Sequence, residues 1–213
     1  MDRRERYVNI YSYIQQMIDT ALLQTWCAMP GIVQSFNAQD CTAQVQLAIR
    51  MQNRDQNNNW TDINPSPVVP KALVYFPGNK NYIFTFPIEK DDEGLLVFAD
   101  RCIDAWWQSG GVQSQLDIRN HDLTDGIFFP GVRSIPNVPS NINTSAAEFR
   151  TASGNTKISF SDAAGIVMTA SAIAINAPVT VTGNVTAGFG TADSVTLQGH
   201  KHTANNTPPT PGT

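Results

Sequence analysis

Cationic side chains are few in this chain of 213 residues: 14 Lys or Arg stand against 18 Asp or Glu, for a net charge of −4. Nucleic-acid backbones are bound through clustered Lys and Arg, so the balance argues against a nucleic-acid partner. Cysteine is scarcer still. Cys27, Cys41 and Cys102 are widely spaced with no C-x-x-C pair, which speaks against a disulfide framework or a zinc knuckle and leaves small buried hydrophobes as the expectation. Long apolar runs are missing as well. After Arg3, Arg4 and Arg6, the stretch from Tyr7 to Leu23 is interrupted by Asn9, Gln15, Gln16 and Asp19, so it is neither a signal peptide nor a membrane span. A soluble chain made in a cytoplasm is expected. Also missing are G-x-S-x-G, a phosphate loop and H-E-x-x-H. The G-x-G within GNVTAGFGTAD lies among short strands with no following helix, which is no dinucleotide site. No enzyme is expected.

What is present falls into three regions. Tyr7, Ile10, Tyr11, Ile14, Met17, Ile18, Ala21 and Leu22 recur at i, i+3, i+4 and i+7, the stripe of an amphipathic helix ending near Pro30-Gly31. That stripe needs cover, from the chain's own next domain or from a partner. Residues 30–135 read as strands. PGIVQSF and CTAQVQLAIRMQ pair across the turn NAQD, with Ala43, Val45, Leu47, Ile49 and Met51 on one face of a long strand. After a polar loop, ALVYF, NYIFTFPI and GLLVFAD supply three more strands, for a five-stranded, OB-like barrel. Such barrels often bind single-stranded nucleic acid, but this span holds eight basic against twelve acidic residues, the wrong sign for that role. Trp106 and Trp107 are therefore expected in packing or a protein interface, and EKDDE in a solvated turn.

Residues 136–213 contain no Trp, Tyr or Cys and only three basic and three acidic residues. Short runs alternate apolar side chains: Ile158 and Phe160, Ile166 and Met168, Ile173 and Ile175, Val179 and Val181, Val195 and Leu197. One copy would bury too little to offset backbone ordering at roughly 1–2 kcal/mol per residue. Three identical chains wound about one axis would turn each row of apolar residues into the filled core of a triangular prism. Near the end stands GHKH, placing His200 and His202 one residue apart. Three chains would bring six imidazole nitrogens together, enough for one octahedral metal ion. Val195 and Leu197 are odd and the histidines even, so Gly199 is expected to mark a bulge that reverses the inward face, leaving Lys201 toward solvent.

EGLLVFADRCIDAWWQSG, RNHDLTDGIFFPGV and TLQGHKH followed by a short Pro/Gly tail together resemble the central membrane-piercing spike proteins of contractile phage tails. The resemblance implies a mainly β chain with an N-terminal helix, an OB-fold barrel, then an intertwined trimeric β-helix tapering to a tip. The expected spans are 1–29 for the helical segment, 30–135 for the OB-fold, 136–145 for a linker, 146–202 for the β-helix and 203–213 for an apex tail, where Pro208, Pro209 and Pro211 cannot extend a ladder. It further implies that His200 and His202 hold one metal ion per trimer, iron in that family, and that His121 is structural. The implied role is a homotrimeric spike in the virion's tail baseplate, assembled in the host cytoplasm, joined to a tail hub or tube protein and touching the bacterial outer membrane transiently. A trimeric tail fibre or adhesin is the alternative.

Overall fold

Alternation in Thr42–Leu47 has the consequence its period of two requires: Ala43, Val45 and Leu47 are buried while Gln44 is exposed. The computed structural model describes residues 10–23, 25–54, 59–63, 65–188 and 195–196. They fall into two compact units, Met1–Val138 and Pro139–Thr213.

In the first unit a helix, α1 (Ile10–Leu23), precedes a closed barrel. The barrel strands are β1 (Ala28–Asn37), β2 (Thr42–Leu47), β5 (Val68–Val74), β6 (Glu93–Phe98) and β7 (Gly126–Pro130), while β3 (Gln52–Arg54) and β4 (Trp60–Asp62) form a separate hairpin. Around the barrel the order is β1-β2-β5-β7-β6, closing back on β1, with β5 and β7 the parallel pair. This is an OB-like arrangement. Val33, Val45, Val69, Leu96 and Phe128 have no exposed surface and form the centre of the core. Closure is tight where Gly31 and Gly94 face each other across β1 and β6. A Cβ on Gly94 would lie 2.5 Å from the Phe129 carbonyl oxygen and 2.5 Å from the Phe128 ring, so glycine there makes room for the largest core side chain.

Four sequence expectations are corrected. The run NYIFTFPI is not a barrel strand: Tyr82 and Ile83 are exposed, and a single bridge between Gly78 and Ile83 is its only ladder contact. Asn79 turns this segment back on itself, its side chain accepting from the Asn81 and Tyr82 amides at 2.9 and 3.0 Å. The fifth strand is instead the short Gly126–Pro130. Second, the long strand stops at Leu47; the Ala48 amide donates to the Pro30 carbonyl and Ile49 is exposed. The polar loop beyond it contains the β3–β4 hairpin. Third, α1 ends by Leu23, because Pro30 and Gly31 already belong to β1. Fourth, only Cys102 is buried, Cys27 and Cys41 being exposed. Among the described residues, no helix is long and apolar enough to cross a membrane.

In the second unit, β8 (Ala147–Arg150), β9 (Lys157–Ser161) and β10 (Gly165–Thr169) form an antiparallel sheet in the order β10-β9-β8. A two-residue pair, β11 (Thr186–Ala187) with β12 (Val195–Thr196), follows. Residues 170–185, expected to contain strands at AIAIN and VTVTG, hold no strand. A β-strand exists only through a ladder, and none of the described residues of the chain supplies one there.

Candidate assembly surface

Cross-strand registers place six apolar side chains on one face of the β8–β10 sheet. Ala147 pairs with Phe160 and Phe160 with Ile166; Phe149 pairs with Ile158 and Ile158 with Met168. Directly opposed residues share a face, so this face is Ala147, Phe149, Ile158, Phe160, Ile166 and Met168. The Phe149 and Phe160 rings meet edge to face, centroids 6.1 Å apart. Yet Phe149 is 61%, Ile166 66% and Met168 55% exposed. Residues 170–173 border the same face, leaving an open groove of about 450 Å³ lined by Phe149, Ile158, Met168, Ala172 and Ile173. Ile173, Ile175, Val179 and Val181 beyond it are exposed as well. No described apolar residue after Val138 is buried. Contiguous apolar surface of this kind marks an interaction site.

The opposite face is polar apart from Val167, and its charged groups are paired within the chain. Glu148, its side chain 5% exposed, accepts from Lys157 Nζ at 2.9 Å and Asn143 Nδ2 at 3.0 Å. The Asn143 hydrogen bond and the Lys157 ammonium hold its carboxyl below the usual carboxylate range. Arg150 spends its guanidinium on the carbonyl oxygens of Ser140, Asn141 and Ala152, tying the segment before the sheet to the turn after β8. One face is thus complete and the other is half of a contact.

A second polar centre lies at one end of the barrel. Asp125, with no exposed surface, accepts two hydrogen bonds from Arg119, Nε to Oδ2 at 2.7 Å and Nη2 to Oδ1 at 2.9 Å, and a third from the Ile103 amide at 3.0 Å. Arg119 Nη2 also reaches Asp104 Oδ2 at 2.8 Å. That bond holds the Asp104 carboxyl below its usual range, and the two aspartates push the Arg119 guanidinium still higher. Cys102, Asp104 and Asp125 each bring one potential ligand atom within 4.8 Å of the others. Arg119 already occupies both carboxylates, so a metal cation there would have to displace a guanidinium. The cluster is a clamp. It joins the two sequence stretches EGLLVFADRCIDAWWQSG and RNHDLTDGIFFPGV, which also meet through Arg101 with Asn120 and His121 with Asp100.

His121 has φ 49° and its Nδ1 lies 3.0 Å from the Trp26 carbonyl oxygen, its Nε2 3.1 Å from Asp100 Oδ1. The Trp26 amide donates to the His121 carbonyl. This histidine ties the start of β1 to the loop before β7, a structural position. Trp106 and Trp107 lie on α2 (Asp104–Ser109); Trp106 is half-exposed, and Lys71 Nζ sits 5.6 Å from the Trp107 ring centroid. Within EKDDE, Glu89 to Asp92 form a turn, but Glu93 opens β6 and accepts from the Ser134 amide at 2.6 Å, the Ser134 hydroxyl at 2.8 Å and Asn137 Nδ2 at 2.7 Å. These bonds, the Ser134 amide foremost, hold its carboxyl low. The expected metal ligands His200 and His202 lie outside the described residues. Sequence reading did not single out β8, whose Phe149 completes the apolar face, nor the pair Arg119 and Asp125.

The barrel with its clamp defines a closed five-stranded β-barrel module. Residues 29–131, just under half of the chain, match the family described as Phage protein Gp138 N-terminal domain. The matched span begins inside β1 and ends just after β7. No curated protein matches the chain.

Proposed function

We propose that the chain is the central spike of a contractile phage tail, a homotrimer in the tail baseplate that is driven through the bacterial outer membrane when the tail contracts. The carrying observation is the uncovered apolar face of the β8–β10 sheet, which a compact monomer would not leave open and which identical copies would cover. The family likeness of residues 29–131 supports a phage component; in this reading the barrel faces a tail hub or tube protein. The role is mechanical: few charges after residue 136 give a rod with little to desolvate as it enters a membrane.

In this reading residues 146–202 interweave as a trimeric β-helix, and AIAIN and VTVTG find their ladder partners in neighbouring chains. His200 and His202 of each chain would hold one metal ion, and six neutral imidazoles suit a first-row divalent ion such as iron. With no open position, the ion would order the chain ends rather than catalyse a reaction.

Light scattering with elemental analysis of the full chain tests this. A trimer carrying one metal ion is expected. The His200→Ala, His202→Ala double variant should stay trimeric and lose the ion, and wild-type binding should weaken as pH falls through the histidine range near about 6.5. A monomer at micromolar concentration would end the proposal.

A further inference from the structure

The helix α1 presents an exposed apolar stripe. Every described side chain from residue 10 to 22 is exposed, with Ile10 at 65%, Ile14 at 47%, Met17 at 57% and Ile18 at 48%. A helix of 14 residues is marginal in water when nothing covers it. We infer that its cover is the same helix from two further copies, giving a parallel three-stranded coiled coil, an inference that rests on the trimeric assembly proposed above.

Spacing comes first. Ile10, Ile14, Met17 and Ala21 are separated by four, three and four residues, which places them at d, a, d and a of a heptad. A 3-4 repeat is common to amphipathic surface helices, and it is also the pattern by which like helices interlock. The residue types then select the number of strands. Isoleucine at both an a and a d position shifts preference from dimers toward trimers and higher forms. Tyr11, Tyr13, Ile18 and Thr20, at the flanking e and g positions, carry no charge, so identical neighbours meet no repulsion there and gain a wider apolar seam.

Charge points the same way. Asp19 is the only charged residue in α1; it occupies an f position on the far side, where Gln15 donates to it at 2.9 Å. Finally, chains already joined through their second units hold their helices at high effective concentration, so helix association adds no further bimolecular cost.

The test uses the full chain with Cys27→Ser, Cys41→Ser and Cys102→Ala, into which a single cysteine is placed at Ile14→Cys or Ala21→Cys on the seam, or at Gln16→Cys on the opposite side. After mild oxidation, both seam variants should yield covalent dimers within a sedimenting trimer, and Gln16→Cys a several-fold lower yield. A trimer in which the seam positions cross-link no better than Gln16→Cys would overturn the coiled coil while leaving the spike proposal standing. A monomer would overturn both.

Discussion

The barrel and the β8–β10 sheet are written in the same code of alternating apolar residues, yet one is finished and the other is not. In the barrel, Val45 and Leu47 of β2, Leu96 of β6 and Phe128 of β7 all point into one enclosed core, because the fifth strand lets the sheet close on itself. In the second unit, three strands cannot close, and Phe149, Ile166 and Met168 remain more than half exposed. Apolar alternation therefore guarantees a one-sided sheet but not a core; closure decides whether the missing half comes from the same chain or from another.

The largest effect is expected from breaking the open face. Phe149→Asp together with Met168→Asp places two charges where the proposed trimer buries apolar surface, and should convert the trimer to monomers by light scattering while leaving the barrel's unfolding transition in place. A retained trimer would show that this face is not the contact. The converse experiment removes the centre of the closed region. Phe128→Ala should lower barrel stability by about 3–5 kcal/mol in urea unfolding, with the assembly state unchanged. Coincident loss of both would mean the two regions are not independent.

The smallest effect separates them by pH. Glu93 in the first unit and Glu148 in the second both have carboxyls held below the ordinary range by hydrogen bonds. A lowered folded value means that the stabilisation is present above the ordinary carboxylate value and lost as pH falls through the folded one. Each region should therefore lose this contribution in acid. Glu93→Gln should flatten the acid limb of the barrel's thermal transition and leave that of assembly untouched; Glu148→Gln should do the reverse.

Much of this division was legible in the sequence. The change of composition near residue 136, the alternation of Ala43, Val45 and Leu47, and the paired residues of β9 and β10 could be read from side-chain type alone. Other parts could not, because a local pattern does not name its partner. NYIFTFPI is longer than GIFFP and holds more apolar side chains, yet Asn79 and Pro87 make it a folded loop and the shorter run closes the barrel. Phe149 sits in AEFR, too brief to register until β9 lies beside it. The clamp is hidden for a different reason: Asp125 looks like any loop aspartate until Arg119, six residues before it, turns back to reach it.

Glu93 has a consequence for load. The chain leaves β7 at Pro130, and without further attachment a pull on residues beyond Val138 would peel that strand from the barrel one hydrogen bond at a time. Ser134 and Asn137 are instead fastened to Glu93 at the start of β6. Force arriving along the chain meets three hydrogen bonds to a neighbouring strand first, and is shared between β6 and β7, which are themselves paired from Gly94 with Pro130 to Phe98 with Gly126. The strap acts as a strain relief, like the clip that keeps a tug on a cable from reaching the solder joint.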